Sequence, residues 1–227
     1  MECALIFVLS LFTLFFGCSK QGTNDAGAVA EEIQVRPIVA VVPLLDSSKN
    51  DLPWNLSDEL TDLLFKRLAK RDKFYLVSLL KVQSQIKKMN AQMDPFSLDL
   101  SWMKRLFDST EFVVFTELIE HDERPLTPTA LPVSDTSLQK SSADMNITLR
   151  LRVFDVRGAE PKIVLQELLH ETHRIPRQFT RQNFFQVSWK DENFNISPLG
   201  MAHDDLIKTL AGRLEEYLLR AKRASRT

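Results

Sequence analysis

From Met145 to Val153 the chain alternates strictly. Met145, Ile147, Leu149, Leu151 and Val153 are apolar, and Asn146, Thr148, Arg150 and Arg152 between them are polar. A period of two belongs to a strand whose successive side chains point to opposite faces, one dry and one wet. Arg157 to Pro161 reads as a turn, and Lys162 to Ile175 as the hairpin partner, with Ile163, Leu165 and Leu169 on one face. A hairpin with one dry face has to be covered, so the rest of the chain must supply the cover.

Cover is available in both directions. Ile38 to Leu45 is a mostly β-branched apolar run, read as a strand buried on both faces. Leu56, Leu60, Leu63, Leu64 and Leu68 recur at helical spacing, predicting a helix over 56–70 capped by Asn55, with Lys66, Arg67, Lys70 and Arg71 near its carboxyl end. Phe74 to Ser78 reads as a short strand. Val82, Ile86 and Met89 mark a short helix. Leu98, Trp102 and Leu106, with Phe107, mark the next, and Ser97 is its candidate cap. Glu111 to Ile119 is a further strand. Pro198 opens a last helix whose stripe is Leu199, His203, Leu206, Ile207, Leu210, Leu214, Tyr217 and Leu218. The order is βαβααβββα: an α/β single domain over 36–223, with a mixed sheet flanked by helices and two insertions, 120–143 and 176–196. The first insertion reads as an exposed loop without core.

The amino-terminal segment stands apart. Ala4 to Phe16 is an apolar run of 13 residues, short of the roughly 20 that a spanning helix needs and right for the apolar region of a signal peptide. It stops at Gly17-Cys18-Ser19. A small residue before Cys at the end of such a run resembles the lipobox of bacterial lipoproteins. The resemblance implies that 1–17 is a removed signal peptide and that Cys18 carries the lipid. Residues 18–35 are then the lipidated Cys and a small, polar, flexible tether. Ser19 after the Cys resembles the pattern sorted to the outer membrane. Removal of 1–17 would leave Cys18 as the sole cysteine, excluding an internal disulfide.

The domain itself carries a second resemblance. IVAVVPLLDSSKNDLPWNLSDELTDLLFKRLAKRDKFYLVS, then MDPFSLDLSWMKRLFDSTEFVVFTELIE, then the hairpin NITLRLRVFDVRGAEPKIVLQELLHE are similar to TolB amino-terminal-like, or CsgG-like, domains. Those domains carry a strand of the type IAVLPF, a helix and FxVV. They continue with a Pro-initiated helix before a strand of the type DYVVTGSV, and a hairpin with DV before its turn, where this chain has Asp155-Val156. The whole also resembles a chlamydial lipoprotein family of undetermined function. The resemblance implies an envelope protein that binds partners, oligomerises or activates enzymes. It implies no shared chemistry.

Nothing in the residues adds chemistry. There is no phosphate loop, no G-x-S-x-G and no cofactor fingerprint, so no cofactor is expected. His170 and His173, three apart on a strand, point to opposite faces and cannot easily share an ion. His121 reads as a solvated strand cap and His203 as a packed residue. With 29 Lys and Arg against 30 Asp and Glu, the chain lacks the basic balance of a nucleic-acid binder.

The feature left over is an aromatic cluster: Phe179, Phe184, Phe185, Trp189 and Phe194. It either packs on the sheet or forms a contact surface for a partner. The functional expectation is a non-enzymatic binding or assembly module, held to a membrane through Cys18, facing the periplasm from the outer membrane. Its partner would be an envelope protein or a second copy. Two alternatives stay open: an oligomeric secretion-channel subunit and an envelope enzyme with an unrecognised site. Against the channel, Lys190-Asp191-Glu192-Asn193 cuts the Phe185, Val187, Trp189 alternation short of a membrane strand.

Overall fold

Pro43 shapes the first part of the sheet. The apolar run forms two strands instead of one, β1 (Ile38–Val41) and β2 (Leu45–Asp46), both parallel to β4 (Phe112–Pro125). Proline has no N–H to give to a ladder, so the pairing lapses across it and resumes two residues later. The computed structural model describes residues 36–88, 94–125, 142–176 and 187–224. The chain divides between Val35 and Arg36, and the unit from Arg36 onward is the one described.

The elements follow the expected order. After β2 come α1 (Leu56–Arg71), β3 (Tyr75–Leu76), α2 (Leu79–Ile86), α3 (Ser101–Leu106), β4, β5 (Ser142–Asp155) and β6 (Lys162–Pro176). A 3-10 turn at Phe194–Ile196 leads into α4 (Pro198–Ala224). The sheet runs β3-β1-β4-β5-β6, with β2 beside β4. β1 pairs in parallel with β3 and β4, while β4, β5 and β6 pair antiparallel. This is a mixed six-stranded α/β sheet flanked by helices.

The helices cover both faces. α1 and α4 lie on the face built from Val41, Val114, Leu118, Ile147, Leu149, Leu151 and Leu165, to which they add Leu60, Leu64, Leu206, Leu210 and Leu214. α2 and α3 cover the other face with Val82, Trp102, Met103 and Phe107 over Val113, Phe115 and Phe154. Phe115 is the hub there, edge-on to Trp102, Phe107 and Phe154 at 5.7–6.3 Å between centroids.

Local chemistry sets the ends. The Asn55 side chain accepts the Asp58 N–H and caps α1, and Asp72, at φ 52°, closes it in the left-handed conformation. Ser78 caps α2 in the same way.

Several expectations are corrected. The 120–143 insertion is shorter: β4 continues to Pro125 and β5 begins at Ser142, with Ala143 fully buried. Ser97 does not cap α3; Leu100 occupies that position without a side-chain bond, and Leu98 is fully exposed. Ile163 does not share a buried face with Leu165. The register slips between Val153 and Phe154, pairing Leu165 with Val153 but Ile163 with Phe154, and Ile163 is 45% exposed. Met89 lies outside the described residues.

Candidate functional site

A second bulge organises the interior. The β4–β5 register slips between Leu118 and Glu120, leaving Ile119 out of the ladder. One extra residue reverses which face the following side chains take. His121 therefore sits opposite Ile147, on the same face as Leu118 opposite Leu149, beneath α1 and α4. It is buried at 7% exposure, not a solvated cap.

There it meets a chain of polar groups. His121 Nε2 lies 2.9 Å from His203 Nε2 on α4, and His203 Nδ1 lies 2.6 Å from Glu59 Oε1 on α1. The other Glu59 oxygen accepts the Trp54 indole N–H at 2.6 Å. Glu59 and His203 are both wholly buried. Buried polar groups are tolerable only when bonded, and each link here answers the next. The carboxylate–imidazole half of this chain has the form used to orient a general base. Here the imidazole of His203 meets a second buried imidazole, not a hydroxyl or thiol, and the contacts tie α1, α4 and β4 together. Sequence reasoning placed His203 correctly in the packed stripe but passed over Glu59. The available signal was its spacing, three residues after Leu56 on an otherwise leucine-lined face.

Above this tie lies a cleft of about 870 Å³. One wall is the outer side of α1, with Asp62, Lys66, Arg67 and Lys70; the other is the 189–195 segment, and Asp204 of α4 closes one end. Lys66 pairs with Asp62 at 2.7 Å, and Arg67 with Asp204. The opposite wall is held by a tight turn. The Asp191 carboxylate accepts the Ser188 N–H at 2.6 Å, and the Asp191 N–H donates to the Ser188 carbonyl at 3.0 Å. The turn sets Lys190 at φ 82°, unusual outside glycine, with its ammonium 4.4 Å from the Trp189 ring centroid.

The aromatic cluster divides accordingly. Trp189 is half-buried, packed against the main core and lining the cleft. Phe194 is 2% exposed and edge-on to Trp54 at 5.5 Å, so it belongs to the core and forms the cleft floor. Phe179, Phe184, Phe185 and Cys18 lie outside the described residues. His170 and His173 are not brought together: His170 bonds Thr148 at 2.9 Å, and His173 bonds Glu171 at 3.1 Å. Among the described residues no group of three acidic, His or Cys side chains is arranged to hold a metal ion, and no helix is long and apolar enough to cross a membrane.

No curated protein sequence matches the chain. Among solved structures, the hypothetical protein CT253 of Chlamydia trachomatis is similar at 22% identity and a TM-score of 0.60, covering 80% of this chain and 97% of its own. That likeness shows the fold. Remoter likenesses are the lipoprotein GNA1162 of Neisseria meningitidis, at 14% identity over 78% of this chain and 99% of that one, TM-score 0.39. The LpoB carboxyl-terminal domain of Escherichia coli follows at 18% identity over 60% and 82%, TM-score 0.34. The model of a family of unknown function (DUF7499) matches residues 26–222, nearly the whole of the chain, which therefore belongs to that family.

Proposed function

We propose that this chain is a lipid-anchored protein of the bacterial envelope, held through Cys18 at the outer membrane with its domain in the periplasm. Its domain binds another envelope protein at the cleft between α1 and the 189–195 segment, without catalysis. The observation that carries the binding role is the Ser188–Asp191 turn, which fixes Trp189 and Lys190 over the cleft in a conformation that costs a non-glycine residue free energy. Trp189 supplies a rigid amphipathic anchor of the kind concentrated at binding hot spots. The rim places Lys66, Arg67 and Lys190 among Asp62, Asp191 and Asp204, which suits a polar, mixed-charge protein surface. Phe179, Phe184 and Phe185 precede this wall in sequence, and we propose them as further residues for the same partner.

The test has two arms. Acyl labelling of intact cells should mark the wild-type chain and not Cys18→Ala; equal labelling would sink the anchor. A photocrosslinker replacing Asn195 in the cleft should capture one envelope protein that the same group at exposed Leu80 does not, and Trp189→Ala should reduce the yield. The same partner captured equally at both positions would sink the cleft as the binding site.

A further inference from the structure

The start of β1 is held between the carboxyl-terminal turns of two helices. Arg36, two residues before the strand begins, makes a bidentate pair with Asp72 at the end of α1. Glu111 accepts the Ile38 N–H at 2.9 Å and pairs with Lys222 in the last turn of α4. Arg157 of the β5–β6 turn donates to the Ala221 carbonyl at 3.0 Å. The domain therefore has one end at which the chain enters, α1 and α4 finish and the β5–β6 hairpin turns.

That end is basic. Its acids Asp72, Glu111 and Asp155 are each engaged by a cation. Lys70, Lys73, Lys104, Lys162 and Arg223 remain, against Asp108 and Glu160. The Lys104 ammonium bonds the carbonyls of Val156 and Arg157, and among the described residues it pairs with no carboxylate. The whole chain has a net charge of −1, so an excess of cations here means an excess of acids elsewhere. Tyr75 stands at the same end, 58% exposed, with the Arg36 guanidinium over its ring at 5.6 Å. An exposed tyrosine beside cations suits the headgroup layer of a membrane, where an amphipathic ring and positive charge both find partners.

We infer that this end of the domain is a docking surface for anionic lipid headgroups, so that the domain settles on the membrane with β1, the α1 and α4 ends and the β5–β6 turn facing it. The inference rests on the anchored reading of Cys18. Read from its small, polar composition as a tether, the 18-residue stretch 18–35 would have a mean end-to-end reach of about 23 Å, which would keep the basic end in repeated contact with the surface and raise its effective concentration there.

The test uses the full chain in phosphatidylcholine vesicles, with and without about one third phosphatidylglycerol, at about 50 mM salt. Lysine labelling by an amine reagent is read by mass spectrometry. Lys73 and Lys162 should be protected about threefold or more by the anionic vesicles, Lys49 at the opposite end should not, and about 0.5 M salt should remove the effect. The surface variant K73E/R223E should lose the protection of Lys162. Vesicle-bound chain with equal labelling in both lipids overturns the docking surface and leaves the anchor standing. Association with anionic vesicles alone supports the surface and overturns the anchor. Association with neither overturns both.

Discussion

His121 and His203 meet Nε2 to Nε2 at 2.9 Å inside the domain, one from β4 and one from α4. One nitrogen must donate and the other accept, so a single N–H lies between the two rings. Because His203 also bonds Glu59 on α1, the contact fixes the relative positions of three elements that the apolar core alone would hold with less specificity.

The tie predicts a non-additive mutant cycle. His203→Leu leaves the buried Glu59 carboxylate with only the Trp54 N–H, and should cost about 3–5 kcal/mol in urea unfolding. Glu59→Leu alone should cost a comparable amount by taking the acceptor from the buried His203 Nδ1. The double variant should cost clearly less than the two added together, since no buried charge is then left unpaired. Strict additivity would show that the two side chains do not act through each other.

These two bulges mark where the sequence stops being legible. The alternation in β5, the leucine spacing in α1 and the stripe in α4 each reflect a periodicity that burial enforces, and all three elements form where those patterns put them. A bulge adds one residue without any residue type that announces it. After Leu118 and before Leu165 the parity inverts, so His121 goes in and Ile163 goes out, against the local pattern. Glu59 was hidden for a different reason: its partners are Trp54, five residues away, and His203, 144 residues away, and spacing along one helix reports neither. In the cleft, Trp189 and Phe194 looked alike as aromatic residues of one segment, and only the packing separates a wall from a floor.

Two glycines of α4 should respond oppositely to alanine. A Cβ at Gly200 would lie 2.0 Å from the Phe194 carbonyl oxygen, a backbone atom that cannot swing aside, whereas a Cβ at Gly212 would meet nothing within 4 Å. Gly212→Ala should stabilise by about 0.5–1 kcal/mol through helix propensity. Gly200→Ala should destabilise by about 1–3 kcal/mol and displace the 194–196 turn, because the helix can accept the methyl only by moving that backbone. Thermal unfolding distinguishes them, and a stabilised Gly200→Ala would mean that helix and turn are not packed as described.

The β5–β6 turn should make stability depend on pH in a defined direction. Burial pushes the Asp155 carboxyl up, but the Arg157 hydrogen bonds and charge outweigh it and hold the carboxyl below the ordinary aspartate range. The Arg157 N–H and Nε both donate to Oδ1, at 3.0 and 2.9 Å, and Nη2 donates to Oδ2 at 2.6 Å. A carboxyl with a lower pKa in the folded state binds fewer protons there than in the unfolded chain. Its contribution is therefore present above the unfolded value and is lost as pH falls through the folded one. Asp155→Asn should cost about 1–2 kcal/mol at neutral pH, and the difference from wild type should shrink steadily in acid below the unfolded aspartate pKa of about 3.9. Urea midpoints taken across that range check it. A difference that stays constant down to the lowest accessible pH would show that the amide replaces the carboxylate in the turn and that charge contributes nothing there.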